Sequence, residues 1–300
     1  MSEGSPGLLA RAFVGLQHLL PQHLLSGLMY RLARVEWSPL RTPLIWVFIR
    51  VTGIRMAEAA EPDPRRYRHL NALFTRALRP ELRPPDPDPA AVLSPVDGTL
   101  SQLGTIEAGR LIQAKGRDYG LVDLLGGDAE AERQLTGGSF ATLYLSPKDY
   151  HRIHMPLAGE LRGMTYLPGR LFSVNTITAA LVPGLFARNE RVVCRFETPA
   201  GPMAMVLVGA IFVGGIETVW AGELTPTSAG GGKTNAPADR QAQAVRLERG
   251  AEMGRFNLGS TVILLFPPGA VSWDPGLAPG SPVRMGQRIG NLAPSAPESR

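Results

Sequence analysis

Five histidines occur in the 300-residue chain, and two of them stand three apart in Tyr150-His151-Arg152-Ile153-His154-Met155-Pro156. An imidazole titrates near neutral pH, so either ring could serve as a general base or acid. On a helix an i, i+3 pair shares a face and could bind a metal. Pro156 and the apolar run before the pair favour a turn instead, and no Cys or third His lies nearby to complete a site. Asp149 alone is a weak addition. His18, His23 and His69 lie in the first quarter of the chain among Leu and Arg residues and read as surface groups. Asp97 sits in Ser94-Pro95-Val96-Asp97-Gly98, a turn sequence. A turn aspartate commonly bonds its own backbone, which explains the residue type without giving it a role. Ser260 follows Gly259 just before an apolar strand sequence. The glycine carbonyl is sterically open and the serine hydroxyl adjoins it. That is the geometry of an intramolecular N-to-O acyl shift. A lone Gly-Ser pair is nevertheless common. Gly230-Gly231-Gly232-Lys233-Thr234 imitates a phosphate-binding loop, but that motif needs glycine at position 227, which is Thr.

The elements that would position these groups fall into two parts. From Val92 onward, short apolar runs alternate with Gly, Pro and Asp turns. Phe140–Leu145, Arg191–Phe196, Met203–Val213 and Thr261–Phe266 read as strands. Ile177–Phe186 reads as a short helical piece. Cys194, the only cysteine, falls in a strand and reads as a buried structural thiol. Before this β-rich part, Arg66–Leu78 has a helical face, and Pro80–Pro89 is too proline-rich for helix or central strand. The expected fold class is α+β: a mainly β catalytic domain over 89–292, a helical N-terminal region over 1–88, and a disordered tail over 293–300.

The N-terminal region carries the positive charge. Residues 1–85 hold 12 Arg and no Lys against 6 acidic side chains, while the whole chain is +5. Leu9, Phe13, Leu16 and Leu20 recur at helical spacing, and Leu25, Leu28, Met29 and Leu32 continue the period after Pro21. A third apolar run, Leu44–Ile49, is far short of the ~20 residues that span a bilayer. No signal-peptide pattern opens the chain. Apolar helices interleaved with Arg suit an anionic membrane surface; the other reading is a cap packed on the rest of the protein. Nucleic acid is disfavoured, because the Arg residues alternate with Leu and Phe instead of forming a polar stripe.

Taken in order, Ser94–Gly98, Tyr150–Pro156, Phe172-Ser173-Val174-Asn175, Val208-Gly209-Ala210 with Val213-Gly214, and Gly254-Arg255-Phe256-Asn257-Leu258-Gly259-Ser260-Thr261 resemble the bacterial phosphatidylserine decarboxylases from about residue 60 to residue 290. The family's Lys-Gly-x-Glu is here Arg249-Gly250-Ala251-Glu252, which keeps the charge. The resemblance implies a proenzyme cut between Gly259 and Ser260 into a β chain of 1–259 and an α chain of 260–300. Residue 260 then becomes a pyruvoyl cofactor that forms a Schiff base with phosphatidylserine. The resemblance also implies that Asp97 orients His154, that His154 is the base for Ser260, and that His151 serves the decarboxylation. Further expectations are peripheral attachment to the cytoplasmic face of the cell membrane and room for a homodimer. Two rivals remain open here: an Asp-His-Ser hydrolase that does not cleave itself, and a non-enzymatic membrane-surface scaffold.

Overall fold

The computed structural model describes residues 7–114, 116–211, 215–224, 234–237, 245–257 and 260–293. Leu258 and Gly259, the Val213-Gly214 pair, the Gly230–Lys233 run and the tail from residue 294 lie outside the described residues.

Three helices come first: α1 (Leu8–Leu19), α2 (Gln22–Leu32) and α3 (Ser38–Thr52). Pro21 separates the first two. The third is longer than the Leu44–Ile49 run, because Pro39 stands in its first turn, where a missing N–H costs nothing, and it ends at Gly53 with φ 77°. No helix among the described residues is long and apolar enough to cross a membrane.

Helix α1 is inverted relative to an ordinary packed helix. Its buried positions are Val14 and Gln17, while Leu8, Leu9 and Leu19 are more than four-fifths exposed. Polar side chains, one from α1 and one from the start of α2, hold this part of the chain to the protein. Gln17 Oε1 accepts the Ser173 N–H at 2.8 Å, and Gln22 Oε1 accepts the Leu171 N–H at 2.9 Å. The Leu face of α1 thus points away from the protein, whereas Leu44, Ile45, Phe48 and Ile49 of the third apolar run pack inward on Leu70, Leu73 and Phe74, as the cap reading required.

Helix α4 (Leu70–Phe74) is much shorter than the Arg66–Leu78 pattern suggests. His69 is extended and caps it, its ring Nδ1 accepting the Ala72 N–H at 3.0 Å. At the other end Leu78 pairs as a β-bridge with Ala59. Short helices α5 (Leu121–Leu124), α6 (Ala129–Leu135), α7 (Thr176–Leu181) and α8 (Leu185–Arg188) follow later. The expected single helical piece over Ile177–Phe186 is thus two, split at Pro183 and at Gly184 with φ 63°.

The strands are β1 (Ala91–Leu93), β2 (Gly98–Thr105), β3 (Arg110–Ala114), β4 (Arg117–Gly120), β5 (Ser139–Leu145) and β6 (Arg152–His154). Next come β7 (Gly159–Leu167), β8 (Arg191–Thr198), β9 (Gly201–Gly209), β10 (Ile216–Thr218), β11 (Gly222–Leu224) and β12 (Thr234–Pro237). The last are β13 (Arg246–Leu247), β14 (Glu252–Phe256), β15 (Ser260–Phe266), β16 (Val271–Trp273), β17 (Pro282–Val283) and β18 (Arg288–Leu292). The main sheet has the order β12-β7-β8-β9-β15-β5-β2-β17, with β13 also on β7. A smaller sheet runs β11-β10-β14-β6, and a third runs β1-β18-β16.

Strand β15 lies at the centre of the main sheet, and every one of its residues is buried. Val262, Leu264 and Phe266 enter one core with β6 and β14; Ile263 and Leu265 enter the other with α5–α8. Burial on both faces is why this strand reads as an unbroken apolar run instead of an alternating one. The small sheet is laid over the first face, which brings β6 and β14 against the end of β15.

Candidate active site

Ser260 is the first residue of β15 and is paired with Leu145 of β5 on one side and Gly209 of β9 on the other. Its side chain is fully buried, and its Oγ has no hydrogen-bond partner among the described residues. The chain reaches it from β14 through Asn257, which is held firmly. The Asn257 N–H donates to the Gly215 carbonyl at 2.9 Å, Asn71 Nδ2 donates to Asn257 Oδ1 at 2.9 Å, and Asn257 Nδ2 donates to Glu223 Oε1 at 3.1 Å. Gly259, the other half of the expected cleavage site, lies outside the described residues.

Both candidate histidines enter from the segment that follows β5. Leu145, the partner of Ser260, leads into a turn closed by the Ser146 N–H donating to Asp149 Oδ2 at 2.7 Å. Next come Tyr150, His151 and β6. The β6–β14 ladder then returns the chain beside Phe256, whose N–H donates to the His151 carbonyl at 3.0 Å.

The ring states follow from the partners. A carbonyl can only accept, so the nitrogen facing it carries the proton. His151 Nδ1–H donates to the Asp149 carbonyl at 3.0 Å. Its Nε2 therefore holds a lone pair, buried and without a partner among the described residues. Complete burial pushes this imidazole down to about 3, with Arg76 adding to the effect and the Asp149 contact opposing it. The ring also packs on Phe74, with centroids 3.9 Å apart. His154 Nδ1–H donates to the Gly250 carbonyl at 2.8 Å, and its Nε2 accepts the Tyr150 hydroxyl at 3.1 Å. Burial lowers its pKa as well.

Asp97 lies in the bend between β1 and β2. Gly98 must follow it, because a Cβ there would strike the Tyr144 carbonyl oxygen. The Asp97 carboxylate does not bond its own turn. It receives Arg83 Nε at 2.9 and 3.1 Å, Arg83 Nη2 at 2.6 Å and the Met285 N–H at 2.8 Å. It is joined to His154 through backbone: the His154 N–H donates to the Pro95 carbonyl at 2.9 Å. Among the described residues no side-chain hydrogen bond links Asp97 to His154, or either of them to Ser260. The fold thus gathers the segments bearing Asp97, His151, His154 and Ser260, while the Asp97 carboxylate is clamped by an arginine.

The family model described as phosphatidylserine decarboxylase matches residues 70–291. A second, described as PSD, matches residues 12–53. The chain is 55% identical over 292 residues to the phosphatidylserine decarboxylase proenzyme of Pseudomonas fluorescens, covering 95% of this chain and 99% of that one. It is 56% identical over 276 residues to the proenzyme of Nitrosococcus oceani, covering 92% and 90%. To that of Bordetella pertussis it is 52% identical over 290 residues, covering 96% and 97%. The chain belongs to the phosphatidylserine decarboxylase family.

In this phosphatidylserine decarboxylase family member, Ser260 stands at the start of a buried strand with a hydroxyl that nothing described satisfies. Sequence reasoning missed Arg83, Arg76 and Asn257 as members of the site. Arg83 stands in Pro80–Pro89, a stretch too proline-rich for helix or central strand, and nothing local marks it as a partner for Asp97. Tyr150 was visible inside the histidine motif, but its contact with His154 was not.

Proposed function

We propose that the protein cuts its own chain between Gly259 and Ser260 and then decarboxylates phosphatidylserine to phosphatidylethanolamine and CO2. The observation that carries this reading is the Ser260 hydroxyl, fully buried at the head of the central strand and unpartnered among the described residues. An unpaired buried hydroxyl costs about 1–3 kcal/mol, and such a group is expected where it is consumed in chemistry.

His154 is assigned as the base. With Nδ1–H held by Gly250 and a pKa lowered by burial, its ring stays neutral and keeps a lone pair on Nε2. The serine proton reaches Nε2 once the Tyr150 hydroxyl turns aside, or through that hydroxyl. The Ser260 alkoxide attacks the Gly259 carbonyl carbon, the peptide C–N bond breaks, and an ester forms on Oγ. Removal of the Ser260 Cα proton then expels Gly259 as a carboxylate and leaves a carbon–carbon double bond at residue 260. Water replaces its nitrogen, which leaves as ammonia, and the new chain begins with a pyruvoyl group. That group supplies a ketone for the substrate amine and a sink for the electron pair left by CO2.

Asp97 serves this site as a fixed negative charge whose position is set by Arg83 and the Met285 N–H. His151 presents an unprotonated, unpartnered Nε2, so it accepts a hydrogen bond from the substrate and moves a proton only after taking one. The inverted α1, with Leu8, Leu9 and Leu19 outward, supports peripheral docking on an anionic membrane that carries the substrate. A two-chain lipid leaves a bilayer reluctantly, at ~0.8 kcal/mol per buried CH2. The test is CO2 release from phosphatidylserine vesicles by wild type and by Ser260→Ala. Wild type is expected to release CO2 and Ser260→Ala to release none. Equal release by both contradicts the reading, as does the absence of release by a self-cleaved wild type. A hydrolase without self-cleavage has no support among the relatives named above.

A further inference from the structure

Arg76 is 5% exposed, yet among the described residues only one of its guanidinium nitrogens has a hydrogen-bond partner. Nη2 donates to the Lys148 carbonyl at 3.0 Å and the Asp149 carbonyl at 3.4 Å, while Nε and Nη1 are buried with none among the described residues. A buried charge left with free donors is costly, and burial accordingly lowers the Arg76 pKa. Arg76 forms part of the wall of a cavity of about 220 Å³ whose other walls include Gly53, Arg55, Asp97, Lys148 and Tyr150. The acidic groups of this cavity are already engaged. Glu58 is shared by Arg55 at 2.9 Å and Arg83 at 2.8 Å, Asp97 is held by Arg83, and Asp149 accepts the Ser146 N–H. Glu58, Asp97 and Asp149 favour the charged form of Arg76 from a distance, but among the described residues its side chain hydrogen-bonds only carbonyls and no anion.

We infer that this cavity is the subsite for the phosphodiester of the lipid headgroup, with Arg76 as its binding residue. The inference rests on the decarboxylase reading for its substrate and on the cavity for its chemistry. Three arguments select the phosphodiester over the serine carboxylate. A cation paired with the carboxylate would lose its partner as CO2 departs, and so would oppose the reaction, whereas a phosphate keeps its charge throughout. The cavity also lies between Gly53 and Arg55, just past the end of α3, and Asp97 and Tyr150 at the site. The phosphodiester occupies the same place in the lipid, between the glycerol at the membrane surface and the reacting amino acid. Finally, the volume is below the ~300–1,000 Å³ that encloses a whole drug-sized ligand. It accepts part of a headgroup and leaves the acyl chains outside. Arg76 and His151 Nδ1 share the Asp149 carbonyl, so a phosphate held here is one peptide away from the histidine.

The test uses Arg76→Gln, which keeps a donor for the two carbonyls and removes the charge, and Arg76→Lys, which restores charge. The probe is glycerophosphoethanolamine, which has the phosphodiester and no carboxylate. Arg76→Gln is expected to self-cleave, to keep kcat within about threefold, and to raise KM for phosphatidylserine vesicles and Ki for the probe by about 10- to 100-fold. Arg76→Lys is expected to recover part of the loss. An unchanged Ki with a raised KM would assign Arg76 to the carboxylate and overturn the inference. Unchanged KM and Ki would make the residue structural. Equilibrium dialysis of the probe against wild type and Arg76→Gln needs no turnover, so it reads the subsite even if no CO2 is released and the decarboxylase reading fails. It also covers a variant that does not mature, since equal binding by the two proteins would overturn the inference. Inorganic phosphate that binds as tightly as the probe would mark a general phosphate site and overturn the headgroup assignment.

Discussion

Replacing Arg83 by Met is the most informative single change to the Asp97 environment. Arg83 and Asp97 have side chains only 4% and 13% exposed, and their closest contact is 2.6 Å. Hydrogen bonding to Asp97 raises the Arg83 pKa well above its ordinary value despite burial. With Arg83 gone, Asp97 keeps the Met285 N–H and loses every cationic contact described. Breaking a buried pair by removing one partner costs about 3–5 kcal/mol, because the surviving charge stays buried. The Glu58 contact adds less than about 1 kcal/mol, since that side chain is more exposed and retains Arg55. A total near 4 kcal/mol is a large part of the ~5–15 kcal/mol that a domain commands. The loss is best measured by urea unfolding in a Ser260→Ala background, where cleavage cannot confuse the transition. Asp97→Asn added to Arg83→Met removes the stranded charge and is expected to recover about half the loss. In the Ser260 background, Arg83→Met is expected to leave much of the chain uncleaved. A cost below about 1 kcal/mol, or no recovery in the double variant, would refute the account of Asp97 as a clamped buried charge.

His151 gives a pH signature. Its folded pKa, about 3, lies below its unfolded value, near 6.5. The unfolded chain therefore binds more protons below pH 6.5, and stability falls as pH drops from there toward 3. The loss is about 2 kcal/mol by pH 5; His151→Gln is expected to flatten that part of the unfolding-versus-pH curve, and an unchanged slope would contradict burial of the ring. His154→Ala is expected to block self-cleavage, while His151→Ala matures and turns over poorly; quantifying both chains on a denaturing gel reads this directly, and the opposite pattern would reverse the two roles. Replacing Leu8, Leu9 and Leu19 by Ser is expected to weaken sedimentation with anionic vesicles at least tenfold and to leave the unfolding midpoint nearly unchanged, because those side chains pack on nothing described. A large fall in the midpoint would mean that the face is structural.

The parts of the fold that were legible are those in which a local pattern has a single physical meaning. β15 could be read because both of its faces are buried, so apolar residues run without a break. Helices α1 and α2 could be read from their period, but the direction of the apolar face could not, since a stripe does not say what covers it. Gln17 and Gln22 turn that face outward by binding the segment at Leu171–Ser173. The Arg66–Leu78 helix failed because His69 caps late and Leu78 is drawn into a bridge with Ala59. At the site, the four expected residues stood in local motifs, and the fold brings the segments that carry them together. Arg83 and Arg76 could not be read, because their meaning depends on partners 14 and about 73 residues away. Proline-rich sequence from Pro80 to Pro89 suggested a connector, whereas its backbone is tied to the β-rich part by the Asp86 N–H donating to the Gly286 carbonyl at 2.9 Å.

The central claim is that Ser260 becomes the first residue of a new chain. Intact mass of the purified protein tests it most directly. The account predicts two species in place of the 32.2 kDa chain: residues 1–259, and residues 260–300 lighter by one ammonia than the unmodified fragment and closed to N-terminal sequencing. A single uncleaved chain that nevertheless releases CO2 from phosphatidylserine, or a 260–300 fragment that begins with an ordinary serine amine, would contradict it.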